Sequence, residues 1–230
     1  MPLKKNGKNA VVLLSGGMDS TTCLAIASWE GYNCHTLAFD YGQRHKKELE
    51  MAERQSKAFS ASEHQVVQVD LAGIGGSALT SSIEVPKDEV PDSIPVTYVP
   101  ARNLVFLSIG LALAEVIAAQ DLFIGANQVD YSGYPDCRRP FIDSFETVAN
   151  LATRMGTEGA RICVHAPLLD MNKAQIIKRG LELGVDFETT HTCYDPDDSG
   201  VACGRCPACR LRLKGFAEAG IEDPLSYQAC

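Results

Sequence analysis

The sequence predicts an α/β fold: a doubly wound, mostly parallel sheet with a small C-terminal zinc-binding region. Three observations carry this expectation. Short apolar, β-branched runs alternate with stretches of helical period as far as residue 191. The first of those runs opens into a Ser-Gly-Gly loop, and four cysteines crowd the end, where the alternation stops. Strands that alternate with helices pair in parallel, because parallel neighbours need a crossover, and such sheets bind ligands at the carboxyl ends of their strands.

Residues 11–14 read as the first strand, and an apolar-periodic helix follows over 20–29 until Gly31 stops it. A second strand over 35–39 precedes a charged amphipathic helix over 46–59, and 65–69 is a third strand. Between 73 and 95 the chain is rich in Gly, Ser, Pro and acidic residues without a sustained period, which predicts a long loop. A helix over 103–119, a strand over 121–126, a helix over about 140–154 and a last strand over 162–167 come next. The final helix spans 173–183, with Asn172 and Gln175 at capping-box spacing. We therefore expect one α/β domain over 1–191 and a cysteine-rich tail over 192–230 packed on it.

Composition agrees. A chain of 230 residues with a 45% hydrophobic share supports one such domain and a modest appendage, not two full domains. With 21 basic and 29 acidic residues the net charge is −8, so no general basic field is offered to nucleic acid, and a small-molecule substrate is expected. The apolar run after Lys4, Lys5 and Lys8 is too short for a signal-peptide core, and 104–114 falls short of a bilayer span. A soluble, cytoplasmic protein without membrane contact is the expectation.

Ser15-Gly16-Gly17-Met18-Asp19-Ser20 lies between the first strand and the first helix, where loop amides and a helix N-terminus converge on an anion. The glycines admit phosphate close to the backbone, and Ser15 and Ser20 add hydroxyl donors. Neither the P-loop nor the dinucleotide spacing is present. A tight turn with Asp19 or Ser20 merely capping the helix is the competing reading.

Cys193, Cys203, Cys206 and Cys209 give C-x9-C-x2-C-x2-C, enough thiolates to fill a tetrahedral zinc site. An iron–sulfur cluster is the rival, since closely spaced cysteines followed by proline also occur in cluster proteins. Arg205 and Arg210 favour the thiolates electrostatically. Of nine cysteines, Cys23, Cys34, Cys137, Cys163 and Cys230 show no pairing pattern.

The 15–20 hexapeptide resembles the loop of the N-type ATP pyrophosphatases (PP-loop superfamily). Further segments narrow the match: residues 39–45 (FDYGQRH), 99–103 (VPARN), 130–138 (DYSGYPDCR), 192–194 (TCY) and 203–209 (CGRCPAC). Together they resemble the 7-cyano-7-deazaguanine synthase family of the queuosine pathway of tRNA modification. Residues 125–129 depart from the family pattern, which has a Cys-Glu-Thr stretch there, so the resemblance assigns no role to Asn127 or Gln128.

The resemblance implies an adenine nucleotide alpha hydrolase-like fold and a carbon–nitrogen ligase. ATP would adenylate 7-carboxy-7-deazaguanine, ammonia would displace AMP to give an amide, and a second ATP would activate the amide for elimination to the nitrile. It implies ATP with magnesium as co-substrate, one structural zinc and a homodimer. No Gly-x-Cys-x-Gly elbow is present and residue 2 is proline, so free ammonia is the expected nitrogen donor. The ATP stretch carried over is Leu14, Ser15, Gly16, Gly17, Met18, Asp19, Ser20, Thr21, Thr22, Cys23 and Leu24; its apolar members read equally well as core.

Arg102 and Asn103 open a helix where donors can meet phosphate or carboxylate, or are an ordinary surface arginine and a cap. Lys173, at the start of the last helix, is placed to reach a phosphate or to stay solvated. Asp130, Asp136 and Arg138 sit on a Gly/Pro loop, where a carboxylate can read the N–H edge of a guanine-like base or simply face solvent. Arg44 and His45 follow the second strand, with His45 a candidate proton shuttle. Tyr131 and Tyr134 are candidates for stacking on the base or for covering core. Two rival functions remain: a PP-loop tRNA sulfur transferase, and a non-enzymatic nucleotide-sensing zinc module. Asp19→Ala is expected to lose activity with little change in stability.

Overall fold

A computed structural model describes residues 6–88, 94–129 and 134–229. Five parallel strands form one sheet: β1 (Asn9–Leu13), β2 (Asn33–Asp40), β3 (Glu63–Gln68), β4 (Asp121–Phe123) and β5 (Cys163–His165), in the order β3-β2-β1-β4-β5. The helices are α1 (Met18–Trp29), α2 (Lys47–Ala58), α3 (Arg102–Val116), α4 (Arg139–Ala152), the single turn α5 (Arg154–Thr157), α6 (Lys173–Glu182) and α7 (Pro207–Ala219).

Alternation along β1 explains the double winding. Val11 and Leu13 face one way and join Leu107 and Leu111 of α3 and Ile142 and Phe145 of α4. Ala10 and Val12 face the other way, with Leu14 beyond the strand end, and meet Leu24 of α1, Ala52 of α2 and Ile176 of α6. A strand buried on both faces therefore reads as a continuous apolar run. The strand order reverses beside β1, between β2 and β4, which puts a crevice at the carboxyl ends of β1 and β4.

Most expected elements are present, with shifted ends. The third strand starts earlier, at Glu63, and α1 starts at Met18. β4 stops at Phe123 rather than 126 because the chain must turn at Gly125 against the start of α1. Helix α3 ends at Val116, and Ala118 then takes a left-handed φ of 53°. The helix expected over 140–154 breaks at Thr153, whose extended backbone lets its hydroxyl accept from Gly156 N and start α5. The capping box of Asn172 and Gln175 forms with both bonds.

Helix α7 is the element that the sequence reading did not foresee. It packs on α6, with Phe216 meeting Ile177, Phe187 and Met18. Its Arg212 is fully buried: Nε and Nη2 donate to the two Asp223 oxygens at 2.8 Å, and the rest of the fork reaches Phe187 O and Thr190 Oγ1. That clamp fixes residues 187–190, the approach to the cleft. No helix among the described residues is long and apolar enough to cross a membrane.

Candidate active site

The crevice is a cleft of about 190 Å³. Its first wall is the loop after β1. Ser15 N and Ser15 Oγ are both within 3.1 Å of Ser20 Oγ, and that hydroxyl also reaches Gly17 O, so the loop folds onto its own helix. Gly17 is the N-cap of α1 and supplies no side-chain cap. The first-turn amides of Met18, Asp19 and Ser20 therefore have no intrahelical acceptor at the place where these residues line the cleft, as an anion site requires.

Two glycines make this geometry possible. Gly16 has φ +80°, and a Cβ there would strike Glu48 O and lie 2.6 Å from Ala52 N, both in the backbone of α2. A Cβ at Gly125 would lie 2.9 Å from both N and Cα of Ser20, so glycine lets the chain after β4 close over the start of α1. Lys173 Nζ donates to both Asp19 oxygens at 2.8 Å, and the lysine is only 4% exposed. Direct contact brings Lys173 and Asp19, read separately in the sequence, to one place at the loop after β1. The small stability effect expected for Asp19→Ala needs correction, because that change breaks an ion pair with a buried ammonium.

Thr21, Thr22, Cys23 and Leu24 stand deeper in α1, all at 0% exposure. They lie outside the cleft lining; Thr22 Oγ1 donates to Met18 O, and burial pushes the Cys23 thiol far up. Their place is structural packing, the core alternative left open for the apolar members.

The second wall comes from β2 and α3. Phe39 and Phe106 stack at 3.9 Å with 3° between their planes, and Tyr41 meets Phe106 at 5.5 Å. The three rings pack on one another as an apolar wall, against which one face of a flat heteroaromatic ring can lie. Arg102 Nη1 donates to Tyr41 Oη at 3.3 Å, and its guanidinium lies 5.7 Å from the Tyr41 ring centroid. Ala101, immediately before, holds a left-handed φ of 54°, which aims Arg102 and Asn103 at the cleft at the cost of backbone strain.

Asn103 N donates to Asp136 Oδ2 at 2.9 Å, and Asn103 Nδ2 donates to Asp136 O. The Asp136 carboxylate therefore satisfies the start of α3, and Asp136 does not line the cleft. Arg138 is exposed at the N-cap of α4 and also stands outside the lining. Tyr134 is buried, lines the cleft and shares a hydroxyl contact of 3.0 Å with Thr97. Asp130 and Tyr131 lie outside the described residues. Asn127 lines the cleft and anchors it to the loop before α6, donating to Leu168 O.

A side pocket of about 30 Å³ shares Tyr41, Gln43, Glu48, Arg102 and Tyr194 with the cleft and adds Arg44 and His45. Glu48, His191 and Thr192 were not singled out in the sequence. Glu48 falls within the charged amphipathic helix expected over 46–59, just beyond the 39–45 segment at this end of β2. Burial raises the Glu48 carboxyl to about 7 against the opposing pull of Arg102. Burial, then the charge of Arg212, lowers His191 to about 4.

The cysteines close the far end. The sulfurs of Cys193, Cys203, Cys206 and Cys209 lie within 4.8 Å of one another, and all four residues are buried. Amides of Tyr194, Asp195, Cys203, Arg205 and Cys206 donate to Cys206, Cys193 and Cys203 sulfurs at 3.2–3.4 Å. Four thiolates at this spacing would repel one another without a cation among them, so the set could hold a metal ion. Sulfurs that converge on one point fit a single tetrahedral ion, whereas a cluster needs each thiolate on its own iron and a wider spread. The 73–95 loop packs over this knot through Ala78 and Val85, and Asp88 pairs with Arg205 and Arg210.

Comparison with known proteins places this geometry. The family described as "Queuosine biosynthesis protein QueC" matches residues 9–220. A 7-cyano-7-deazaguanine synthase of Geobacter sulfurreducens is 61% identical over 221 residues, covering 96% of this chain and 93% of the relative. The enzyme of the same name from Syntrophotalea carbinolica is also 61% identical, over 96% of each chain. Among solved structures, NMN synthetase from Francisella tularensis superposes with a TM-score of 0.51 at 16% identity, covering 94% of this chain and 79% of that one, which speaks for the fold alone.

Proposed function

The chain belongs to the queuosine biosynthesis protein QueC family and is therefore an enzyme of ligase type; from that premise we propose that it converts 7-carboxy-7-deazaguanine and ammonia to 7-cyano-7-deazaguanine, consuming two ATP. The observation that carries the reading is the first turn of α1, whose unpaired amides stand beside an aromatic wall in one cleft. The amides of Met18, Asp19 and Ser20 with the Ser15 hydroxyl bind the β and γ phosphates of ATP, which enters with magnesium. Phe39, Phe106 and Tyr41 receive the flat deazaguanine, and Arg102 pairs with its carboxylate.

Carboxylate oxygen is a poor leaving group and AMP a good one, so adenylation turns one hard displacement into two easier ones. The acid oxygen attacks the α phosphorus and diphosphate leaves; nitrogen attacks the acyl carbon and AMP leaves with the electron pair of the broken C–O bond. A second adenylation, on the amide oxygen, followed by loss of AMP leaves the nitrile. The Asp19–Lys173 pair holds the loop in shape between turnovers.

The same reading assigns one zinc to the four cysteines, where it supplies a closed structural cross-link. It takes the segment after residue 191 as a zinc-dependent appendage to the α/β domain, the active enzyme as a homodimer in the cytoplasm, and its partners as small molecules, not RNA. The test is mass spectrometry of the products formed from ATP, 7-carboxy-7-deazaguanine and ammonium. Nitrile, AMP and diphosphate are expected; ADP with orthophosphate, or turnover supported by glutamine and not by ammonium, would refute it.

A further inference from the structure

Nitrile formation makes a demand that the residues above leave unmet. Ammonia has three N–H bonds and a nitrile nitrogen has none, so three protons must leave nitrogen during one cycle. Of the described residues lining the cleft, Asp19 and Glu48 carry carboxylates. Asp19 is held through both oxygens by the Lys173 ammonium, which makes it a poor proton acceptor. His191 is buried beside Arg212 and is too weakly basic for the task.

Resting on the nitrile-forming reading, we propose that Glu48 is the general base of the reaction, accepting each proton from nitrogen that enters through the side pocket next to it. Position carries the argument. Glu48 sits in the first turn of α2, its carbonyl directly behind Gly16 of the phosphate loop, and it lines both the cleft and the side pocket. It therefore stands where the two meet. At about 30 Å³ the side pocket holds a molecule the size of water or ammonia, and it is too small for the organic acid. Burial and the Arg102 charge act on the Glu48 carboxyl, and among the described residues no side-chain hydrogen bond holds it.

The steps balance. Nitrogen bonds to the acyl carbon, the carbon–oxygen bond to AMP breaks with its electron pair, and one N–H proton passes to Glu48, leaving the amide. The amide oxygen then displaces diphosphate from the second ATP as a second proton passes to Glu48. In the elimination the last N–H proton goes to Glu48, its bonding pair forms the third carbon–nitrogen bond, and AMP leaves. Glu48 is partly open to the cleft and returns each proton to water. A carboxyl raised to about 7 is matched to such work near neutral pH. The groups facing it are Arg102 of α3, Asp19 of α1, Tyr41 at the end of β2, Arg44 and His45 before α2, and Cys193 and Tyr194 of the C-terminal segment.

The first adenylation moves no proton, and this separates Glu48 from the rest of the machinery. In Glu48→Gln, exchange of labelled diphosphate into ATP, dependent on the organic acid, is expected to persist, while nitrile formation falls by about 100-fold or more. Glu48→Ala should regain part of its rate with added formate. With free ammonia held constant across the series, the wild-type nitrile rate should fall as pH drops below about 7, where Glu48 protonates, and Glu48→Gln should lack that limb. Nitrile formation by Glu48→Gln within a few-fold of wild type, equal loss of exchange and nitrile, or an absent formate effect in a folded Glu48→Ala would each overturn the assignment. If wild type itself showed no acid-dependent exchange, the nitrile-forming reading would fail instead.

Discussion

The loop after β1 and the cysteine segment after residue 191 border the same cleft, yet they are held by opposite means. The loop is fixed by backbone fit: Gly16 lies against α2, Gly125 lies against Ser20, and the serines bond within the loop. The cysteine segment has little regular structure before α7, and its centre is four clustered sulfurs that could hold a metal ion, which the proposed function takes as its cross-link. His191 N joins the two regions by donating to Gly16 O at 3.0 Å. A region held by fit keeps its shape without a ligand, whereas one held by an ion transmits metal loss to its neighbour.

The largest expected effect follows from that difference. Cys206→Ser should lose the metal and most soluble protein, since a structural zinc contributes roughly 10–16 kcal/mol in small four-ligand sites. Metal analysis of the purified variant checks it; a soluble, metal-free enzyme of normal stability would dissolve the contrast. Next, Arg212→Met takes the cation from the Asp223 carboxylate, buried at 5% side-chain exposure and left with Leu225 N and Tyr227 Oη as donors, and should cost about 3 kcal/mol in denaturant unfolding. Asp19→Ala removes the carboxylate that both short Lys173 contacts reach, so a loss of about 3 kcal/mol should accompany loss of turnover. The double change Asp19→Ala with Lys173→Met should recover most of the stability and none of the activity. The smallest effect is Ala101→Gly, which relieves the left-handed backbone before α3 and should raise stability by up to about 1 kcal/mol.

What the sequence showed, and what it hid, follows the same division. The strands, the Ser-Gly-Gly loop and the capping box are local, and each is legible within a few residues. Helix α7 was missed because Arg212 interrupts its apolar face and is buried only through Asp223 and residues 187–190, contacts that no local period reveals. Asp136 looked like a base reader since nothing nearby in sequence announces Asn103 as its partner. Glu48 drew no notice in the sequence because its companions in the cleft lie near β1, β2 and α3, most of them far from it along the chain. The described residues of the 73–95 loop, 73–88 and 94–95, form no helix or strand, as expected, but their contact with the cysteines is a tertiary fact.

The reaction account stands most directly on where the two acid oxygens go. With the carboxylate of 7-carboxy-7-deazaguanine labelled by oxygen-18, each nitrile formed should release two AMP molecules, each carrying one labelled oxygen. Label in water or orthophosphate, with unlabelled AMP, would contradict acyl adenylation in this cleft.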